Sequence, residues 1–260
     1  MKRSLLGVGV GDLRLPVKQA LRRAAQMGFG VVELPAAGGE TTSDTLSGTG
    51  RRDLARLVRS LGLRIAALDG DLGSRALADP KNVEQHIDRT KSILELAADM
   101  DVPIVAASIA AGDDEADDPP SIDVLREIAA HADRTGTIFA VRTGWRSAQQ
   151  LADLIKRVDC DSMCVCVDPA SLLMNGEAPI EAIGHLAEQV CLSYARDAIA
   201  ASTDGAAREM PLGQGQVDLP AYLAALDAAG YHGPHIVRRL ESQRPIDDIM
   251  QAKSLLDSQP

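Results

Sequence analysis

A regular alternation of short apolar runs with longer amphipathic stretches is the feature that most constrains how this chain folds. Short runs rich in Val, Ile, Leu and Ala are typical of strands buried on both faces, whereas apolar residues recurring every three or four positions are typical of helices. The sequence predicts eight strands, at 5–10, 31–34, 63–68, 103–107, 137–141, 163–167, 190–194 and 235–238. Predicted helices follow them, at 16–27, 51–61, 83–100, from Ser121, from Ser147, and at 179–189, 219–229 and 246–256.

Residues with known preferences for helix ends mark the boundaries of these units. Ser121 is a natural N-cap residue, and Ser147 with Gln150 three positions later forms a predicted capping box. Gly28 follows the first predicted helix, as expected of a residue that readily adopts the left-handed backbone at a helix end. Eight strand–helix units in 260 residues predict the α/β class and a single (β/α)8 barrel domain over residues 1–260.

An open, doubly wound parallel sheet is the alternative arrangement of alternating strands and helices. Such a sheet carries a glycine-rich turn for a dinucleotide between its first strand and the next helix. Here Gly7, Gly9 and Gly11 alternate along the first apolar run, and the next helix begins only at Pro16. The barrel is therefore the better prediction.

Charge and hydropathy argue against two classes of partner. The chain has 27 Lys and Arg against 37 Asp and Glu, a net charge of −10, and no long basic run, which argues against nucleic-acid binding. No apolar stretch reaches the roughly 18 residues of a membrane span, and no small-residue cleavage pattern follows the first residues. We therefore expect a cytoplasmic protein whose partner is a small molecule, and the oligomeric state stays open.

The cysteines Cys160, Cys164, Cys166 and Cys191 all lie in one third of the sequence. Zinc sites favour paired C-x-x-C spacing, whereas Cys164 and Cys166 alternate inside an apolar run that predicts a buried strand. Small buried apolar side chains in a reducing compartment are the favoured interpretation of these cysteines.

Two segments near the end of the chain resemble a known family. Residues 211–218 read Pro-Leu-Gly-Gln-Gly-Gln-Val-Asp, a predicted helix follows, and residues 229–234 read Ala-Gly-Tyr-His-Gly-Pro. This pattern resembles the xylose-isomerase-like barrels, which include sugar and sugar-phosphate isomerases and epimerases and the type 2 apurinic endonucleases. Residues 28–34 also look like the second strand of that family, and the resemblance covers essentially the whole chain. With only five histidines, the chain is more similar to the single-metal sugar epimerases than to the endonucleases.

The resemblance implies a divalent cation held by Glu, Asp, His and Glu at the ends of the last four strands. Matched position by position, these ligands fall on Arg142, Asp168, Tyr194 and Arg238, and a second His falls on Ser171. The charge of the four positions changes from about −3 to about +1, and arginine does not lose its proton at accessible pH. We therefore expect no metal at this site and no cofactor.

The roles of the arginines have two interpretations that the sequence leaves open. In the first, Arg142 and Arg238 are structural and pair with carboxylates across the barrel mouth. In the second, they belong to a site for a small anion such as a phosphate or a sugar acid, in which arginines outnumber Asp168 and Asp197. That site would contain Arg142, Arg196, Arg208 and Arg238, with Arg208 in the loop before Gly213 and Gly215.

Three acidic residues at the ends of early strands complete the predicted mouth. Glu33 ends the second strand, and Asp69 and Asp71 follow the third. We expect them to compensate the arginines and include Glu33 among the ligand-binding candidates. As a metal cage they are weak candidates, because no His accompanies them.

Candidate catalytic residues at the mouth are Tyr194 and Asp168. A phenol flanked by guanidiniums is expected to have a lowered pKa and to serve as a base. Trp145, after the fifth strand, either covers a ligand or packs on the adjacent helix. The sequence thus predicts a sugar phosphate isomerase/epimerase-like barrel that binds a small carbohydrate or sugar acid, with catalysis absent or independent of metal. The alternative is a non-catalytic barrel that binds a small anion or a partner protein.

Overall fold

A closed barrel of eight parallel strands forms the centre of the protein. The computed structural model describes residues 6–73, 76–109, 120–203 and 205–259. The barrel strands are β1 Leu6–Gly9, β2 Val31–Pro35, β3 Arg64–Asp69, β4 Ile104–Ala107, β5 Ile138–Arg142, β6 Met163–Val167, β7 Val190–Ala195 and β10 His235–Val237. Neighbouring strands follow the order β1-β10-β7-β6-β5-β4-β3-β2 around the barrel, so the first and last strands pair and close it. The predicted (β/α)8 barrel is confirmed.

Helices surround the barrel and connect its strands. Those described are α1 Val17–Gln26, α2 Gly48–Ser60, α3 Val83–Asp99, α4 Ile122–Thr135, α5 Ala148–Val158, α6 Pro169–Met174, α7 Pro179–Leu186, α8 Leu219–Ala228 and α9 Pro245–Asp257. The capping box predicted for α5 is present, with Ser147 Oγ accepting from the backbone N–H of Gln150. None of the helices in the described ranges is long and apolar enough to cross a bilayer.

Two elements of the structure do not follow from the apolar pattern. An antiparallel hairpin of β8 Asp197–Ile199 and β9 Arg208–Met210 projects after β7. The short helix α6 begins directly after β6, where the Asp168 carboxylate caps it. Two predicted strands also end earlier than expected: the backbone turns into a 3-10 helix at Val10, and β10 stops at Val237, while residue 5 lies outside the described ranges.

The core has two layers, one inside the barrel and one between the strands and the helices. The inner layer is built largely from small side chains such as Ala67, Ala106 and Ala140, together with Tyr194 and Ile236. The outer layer is larger and aliphatic, and it also contains Trp145. Small inner residues leave room for the few large side chains that converge toward the carboxyl end of the barrel.

Gly7 in β1 provides a test of this inner packing. A Cβ at Gly7 would lie 2.4 Å from Cδ1 of Ile236 and 3.2 Å from Cβ of Val31. We expect Gly7→Ala to lower the free energy of unfolding by about 1–3 kcal/mol through overpacking. Urea unfolding followed by circular dichroism measures it. Gly38→Ala is the matched control, because nothing lies within 4 Å of a Cβ there; equal losses in both variants would contradict the packing argument.

Candidate functional site

Two arginines and a tyrosine meet where the barrel strands end at their carboxyl ends. Arg142 is the last residue of β5, Tyr194 lies in β7, and Arg238 directly follows β10. The Tyr194 ring contacts both guanidiniums, with Cζ of Arg142 5.7 Å and Cζ of Arg238 5.2 Å from its centroid. The structure therefore brings together three of the four side chains predicted at the ends of the last strands.

Arg238 is buried among three carboxylates and a phenol, which together engage all of its N–H groups. Nε donates to Oδ2 of Asp12 at 2.7 Å, and Nη1 donates to Oε2 of Glu33 at 2.5 Å and to the Tyr194 hydroxyl at 3.2 Å. Nη2 donates to Oδ1 of Asp12 at 3.3 Å and to Oδ2 of Asp69 at 3.0 Å. Since a guanidinium has five N–H donors, Arg238 has none left for a ligand.

A glycine in β1 makes room for this guanidinium. A Cβ at Gly9 would lie 2.6 Å from both Cδ and Nε of Arg238. Any larger residue would push the side chain away from Asp12, whose carboxylate also accepts from the backbone N–H of Arg239. Gly7 and Gly9 of the first apolar run thus serve the packing inside the barrel.

Arg142 shares a carboxylate with Arg238. Its Nη2 donates to Oδ1 of Asp69 at 2.5 Å, and its Nη1 lies 3.2 Å from Oδ2 of Asp71. Asp71 also accepts from the Ser108 hydroxyl at 2.8 Å. The Nε atom of Arg142 is buried and has no hydrogen-bond partner. Asp69 therefore bridges two guanidiniums from strands that are not neighbours in the barrel.

Burial and charge act in opposite directions on the acids of this cluster. Burial raises the pKa of Glu33, although the charge of Arg238 partly offsets it. Burial also opposes ionisation of Asp69, but Arg142 and Arg238 outweigh it and lower the pKa of that carboxyl. Glu33 therefore holds a proton more readily than a solvated glutamate, whereas Asp69 stays ionised.

Tyr194 does not have the lowered pKa expected from its arginine neighbours. Burial raises the pKa of the phenol well above its ordinary value, and this outweighs the attraction of Arg142. The hydroxyl donates to Oε1 of Glu33 at 2.7 Å. The ring is 1% exposed. The expectation of a phenolate base is thus corrected, because desolvation penalises the charged form more than two guanidiniums favour it.

A second ion-pair cluster lies around Asp168. Its Oδ1 accepts from the backbone N–H groups of Ala170 and Ser171, and its Oδ2 accepts from the Ser171 hydroxyl at 2.8 Å and from Nη1 of Arg196. Arg196 also donates from Nε to Oε1 of Glu209 at 3.0 Å. Both oxygens of Asp168 are therefore engaged in capping α6 and pairing with Arg196.

Glu209 extends this second cluster toward the end of the chain. Its Oε2 accepts from Nη1 of Arg239 at 2.7 Å, and Nε of Arg239 donates to Asp248 at 2.9 Å. Sequence reasoning missed Glu209 and Arg239, and it also missed Asp12 in the first cluster. Asp12 and Arg239 carried a usable signal, because each closely follows a predicted strand, whereas Glu209 does not.

The Gly-x-Gly loop is occupied by a carboxylate of the protein itself. Asp197 accepts from the backbone N–H groups of Gly213 and Gly215, both at 2.9 Å, and of Val217 at 3.0 Å. A Cβ at Gly215 would lie 2.2 Å from Oδ1 of Asp197. The backbone donors expected to help bind a phosphate are therefore already satisfied.

Arg208 and Trp145 lie elsewhere than expected for ligand contacts. Arg208 is exposed on β9, next to Glu209, whose side chain turns inward to the second cluster. Since successive side chains on a strand point to opposite faces, Arg208 points away from that cluster. Trp145 is 4% exposed within the outer core, with the guanidinium of Arg146 5.4 Å from its ring centroid. Its position matches the packing alternative.

The charge balance of the mouth differs from the sequence expectation. Four guanidiniums are paired with seven carboxylates in the two clusters, so acids outnumber arginines and the net positive mouth is corrected. The arginines are Arg142, Arg196, Arg238 and Arg239, and the acids are Asp12, Glu33, Asp69, Asp71, Asp168, Glu209 and Asp248. The sign changes because Glu33, Asp69 and Glu209 lie in β2, β3 and β9, and three further acids, Asp12, Asp71 and Asp248, lie outside the strands.

The side chains at the ends of the last strands do not fit a divalent metal. Arg142 and Arg238 are cations, the Tyr194 hydroxyl donates to Glu33, and both oxygens of Asp168 are engaged. Among the described residues, no group of three His, Cys, Asp or Glu side chains is arranged to hold a metal ion. Binding a dication at these positions would require Arg142 or Arg238 to leave the carboxylates with which it is paired.

Comparison with known proteins identifies relatives of this barrel. The family described as xylose isomerase-like TIM barrel matches residues 21–258 of the chain. No curated protein matches the sequence.

Solved structures with the same fold are similar over nearly the whole chain. A xylose isomerase domain protein from Planctomyces limnophilus is 22% identical, with a TM-score of 0.83, over 97% of this chain and 95% of that one. A D-psicose 3-epimerase from Clostridium cellulolyticum H10, solved with D-tagatose, is 15% identical, with a TM-score of 0.73, over 96% of each chain. A xylose isomerase-like TIM barrel protein from Mycobacterium smegmatis, solved with magnesium, is 16% identical, with a TM-score of 0.78, over 99% and 98%.

Replacing Arg238 tests whether the buried cation holds the mouth together. We expect Arg238→Met to lower the free energy of unfolding by about 3–5 kcal/mol at pH 7, because it leaves Asp12, Glu33 and Asp69 without their shared cation. The loss should shrink as pH falls, since protonation removes the uncompensated negative charge. Urea unfolding at pH 7 and pH 5 measures both effects. Arg208→Met is the control, and a similar loss in both variants would contradict the assignment.

Proposed function

This chain belongs to the xylose isomerase-like TIM barrel family, and we propose that it binds a small carbohydrate at the carboxyl end of its barrel without divalent-metal catalysis. The observation that carries the proposal is the buried Arg238 guanidinium among Asp12, Glu33 and Asp69. It supplies a covalently attached cation close to the positions from which the family would hold a metal. The cytoplasmic location predicted from the sequence belongs to this proposal, and four free cysteines support it.

The exposure of the mouth side chains favours a neutral sugar as the ligand. The side chains of Asp69 and Asp71 are 20% and 24% exposed, whereas those of Arg196 and Arg238 are 6% exposed. A ligand therefore reaches carboxylate oxygens more readily than guanidinium donors. Carboxylates held in place by arginines are suited to accept hydrogen bonds from sugar hydroxyls.

Anionic sugars are less favoured by the same geometry. A sugar acid or sugar phosphate would need guanidinium donors, and those of Arg238 are all engaged. Binding such an anion requires an ion pair to break, and it brings negative charge toward a mouth in which carboxylates outnumber arginines. We therefore place neutral sugars above sugar acids and sugar phosphates as ligands.

Burial of the candidate acid–base groups favours binding over catalysis. Tyr194 and Asp168 are each 1% exposed, and their polar atoms are engaged within the protein. A general base must come within hydrogen-bond reach of the proton that it removes. Neither side chain meets this condition without opening its cluster.

A metal-independent isomerase or epimerase is the second candidate, and the Glu33–Tyr194 hydrogen bond favours it. Burial raises the pKa of Glu33, and the phenol donates to that carboxyl, so the pair could move a proton between two oxygens. This activity would require the mouth to open and admit the substrate to both groups. Catalysis that is lost in Glu33→Gln and unaffected by a chelator would support it.

Ligand binding is tested by calorimetry and thermal unfolding with D-tagatose, gluconate and fructose 6-phosphate as probes. We expect D-tagatose to bind and raise the unfolding midpoint, since any ligand that binds only the folded state stabilises it. Asp71→Asn should weaken this binding by about tenfold, because it replaces a charged acceptor with a neutral one. Arg208→Ala, which changes an exposed side chain on β9, should leave it unchanged.

Two results would overturn the proposed function. One is a stoichiometric divalent ion in the purified protein that a chelator removes together with sugar binding. The other is stabilisation by phosphate or gluconate but not by D-tagatose, declining as salt rises, which would assign the mouth to anions.

A further inference from the structure

A groove between α2 and the end of α3 is lined by arginines. It contains a cavity of about 440 Å³, which is within the size range of small-ligand sites. Arg52, Arg56 and Arg59 of α2 line one side of this α2–α3 groove, and residues 99–101, where α3 ends, line the other. The groove shares no residue with the two ion-pair clusters at the mouth of the barrel.

The three arginines lie on one face of α2. Their spacings of four and three residues bring the side chains together along about two turns of the helix. Ala55 has a small side chain that also lines the cavity. All three arginines are exposed, so a ligand reaches them without any opening of the protein core.

The groove is positive although the chain as a whole has a net charge of −10. Asp99 is paired with Arg51, the neighbour of the lining arginines on α2. Arg56 is paired with Asp53, but the two side chains are 68% and 59% exposed, and an exposed pair of this kind contributes little. Arginines outnumber aspartates around the groove: Arg51, Arg52, Arg56, Arg59 and Arg64 against Asp53, Asp99 and Asp101.

Two of the lining guanidiniums are not paired with any carboxylate. Within the described ranges no ion pair involves Arg52 or Arg59, and Arg52 donates only to the Thr49 hydroxyl, at 3.3 Å. A guanidinium has five N–H donors in a planar fork that suits a phosphate group. In contrast to Arg238 at the mouth, these arginines therefore have donors available for an anionic ligand.

Apolar side chains lie at the base of the groove. Met100 lines the cavity and is 5% exposed. A smaller cavity of about 200 Å³ shares residues with the first and continues it toward the amino end of β3. Its buried apolar side chains are Val58, Leu63 and Ile65. A ligand in the groove therefore meets cations and an apolar surface together.

We propose that the α2–α3 groove is a binding site for a small phosphate ester that carries an apolar or aromatic group, such as a nucleotide. Arg52, Arg56 and Arg59 hold its phosphates through charge-assisted hydrogen bonds. The apolar group lies against Ala55 and Met100, and an aromatic ring also stacks on a guanidinium plane. The proposal does not depend on the proposed sugar binding, because the two sites have no residue in common.

Isothermal titration calorimetry of the full chain with ADP, pyrophosphate and adenosine tests the site. We expect ADP to bind more tightly than either of the other two, because only ADP engages both the arginines and the apolar base of the groove. The affinity for ADP should fall as the salt concentration rises, since salt screens exposed charges. D-tagatose should leave the binding of ADP unchanged.

Variants of the groove separate the contributions of charge and shape. Arg52→Gln and Arg59→Gln should each weaken ADP binding by about tenfold, because each removes one charged donor group. Ala55→Leu should weaken the binding of ADP more than that of pyrophosphate, because the larger side chain occupies the space of the apolar group. Arg208→Gln is the matched control, with the same change of charge on an exposed side chain of β9, and should bind ADP like the unmodified protein.

Four results would each overturn the proposal. They are no binding of ADP at millimolar concentration, equal affinities for ADP and adenosine, full affinity for ADP in both Arg52→Gln and Arg59→Gln, and an equal loss in Arg208→Gln. Thermal unfolding of each variant verifies that it is folded. Competition between D-tagatose and ADP would assign ADP to the mouth and would likewise overturn the proposal.

Discussion

The burial of one permanent cation, the guanidinium of Arg238, is the constraint on which the carboxyl end of this barrel depends. A buried charge costs several kcal/mol unless it is paired, and arginine cannot escape that cost by losing a proton. Its partners are Glu33 in β2, Asp69 at the end of β3 and Asp12 in the 3-10 helix that follows β1, whereas Arg238 follows the last strand. The ion pairs therefore tie the two edges of the sheet together where the barrel closes.

A guanidinium and a metal ion can each neutralise carboxylates that converge on one point, but they differ in whether a position stays open for a ligand. A catalytic metal keeps an open coordination position, and a ligand enters there. The five N–H donors of Arg238 are all engaged within the protein, so this cation stabilises the acids without presenting a free position. Through these pairs Arg238 holds Asp12, Glu33 and Asp69 in place within the fold.

Local periodicity was sufficient to predict the barrel, because each strand and helix carries its own apolar pattern. Counting from the glycine-tyrosine motif also located Arg238 at the mouth. Neither approach could supply Asp12 or Glu209 as ion-pair partners, since these pairings depend on how distant strands meet in space. The three-residue strands of the hairpin were too short to give a pattern, and Tyr194 was misjudged because its burial is not visible in the sequence.

The two clusters are linked through residues that lie close together at the ends of β7 and β10. Tyr194 belongs to the first cluster and Arg196 to the second, and Arg238 and Arg239 divide in the same way. Displacing one arginine toward an anion would therefore disturb pairs in both clusters, and such coupled contacts are not additive. A ligand that only donates hydrogen bonds to the exposed carboxylate oxygens of Asp69 and Asp71 would leave every ion pair in place. Binding of an anion would instead compete with the carboxylates that are already paired with these guanidiniums.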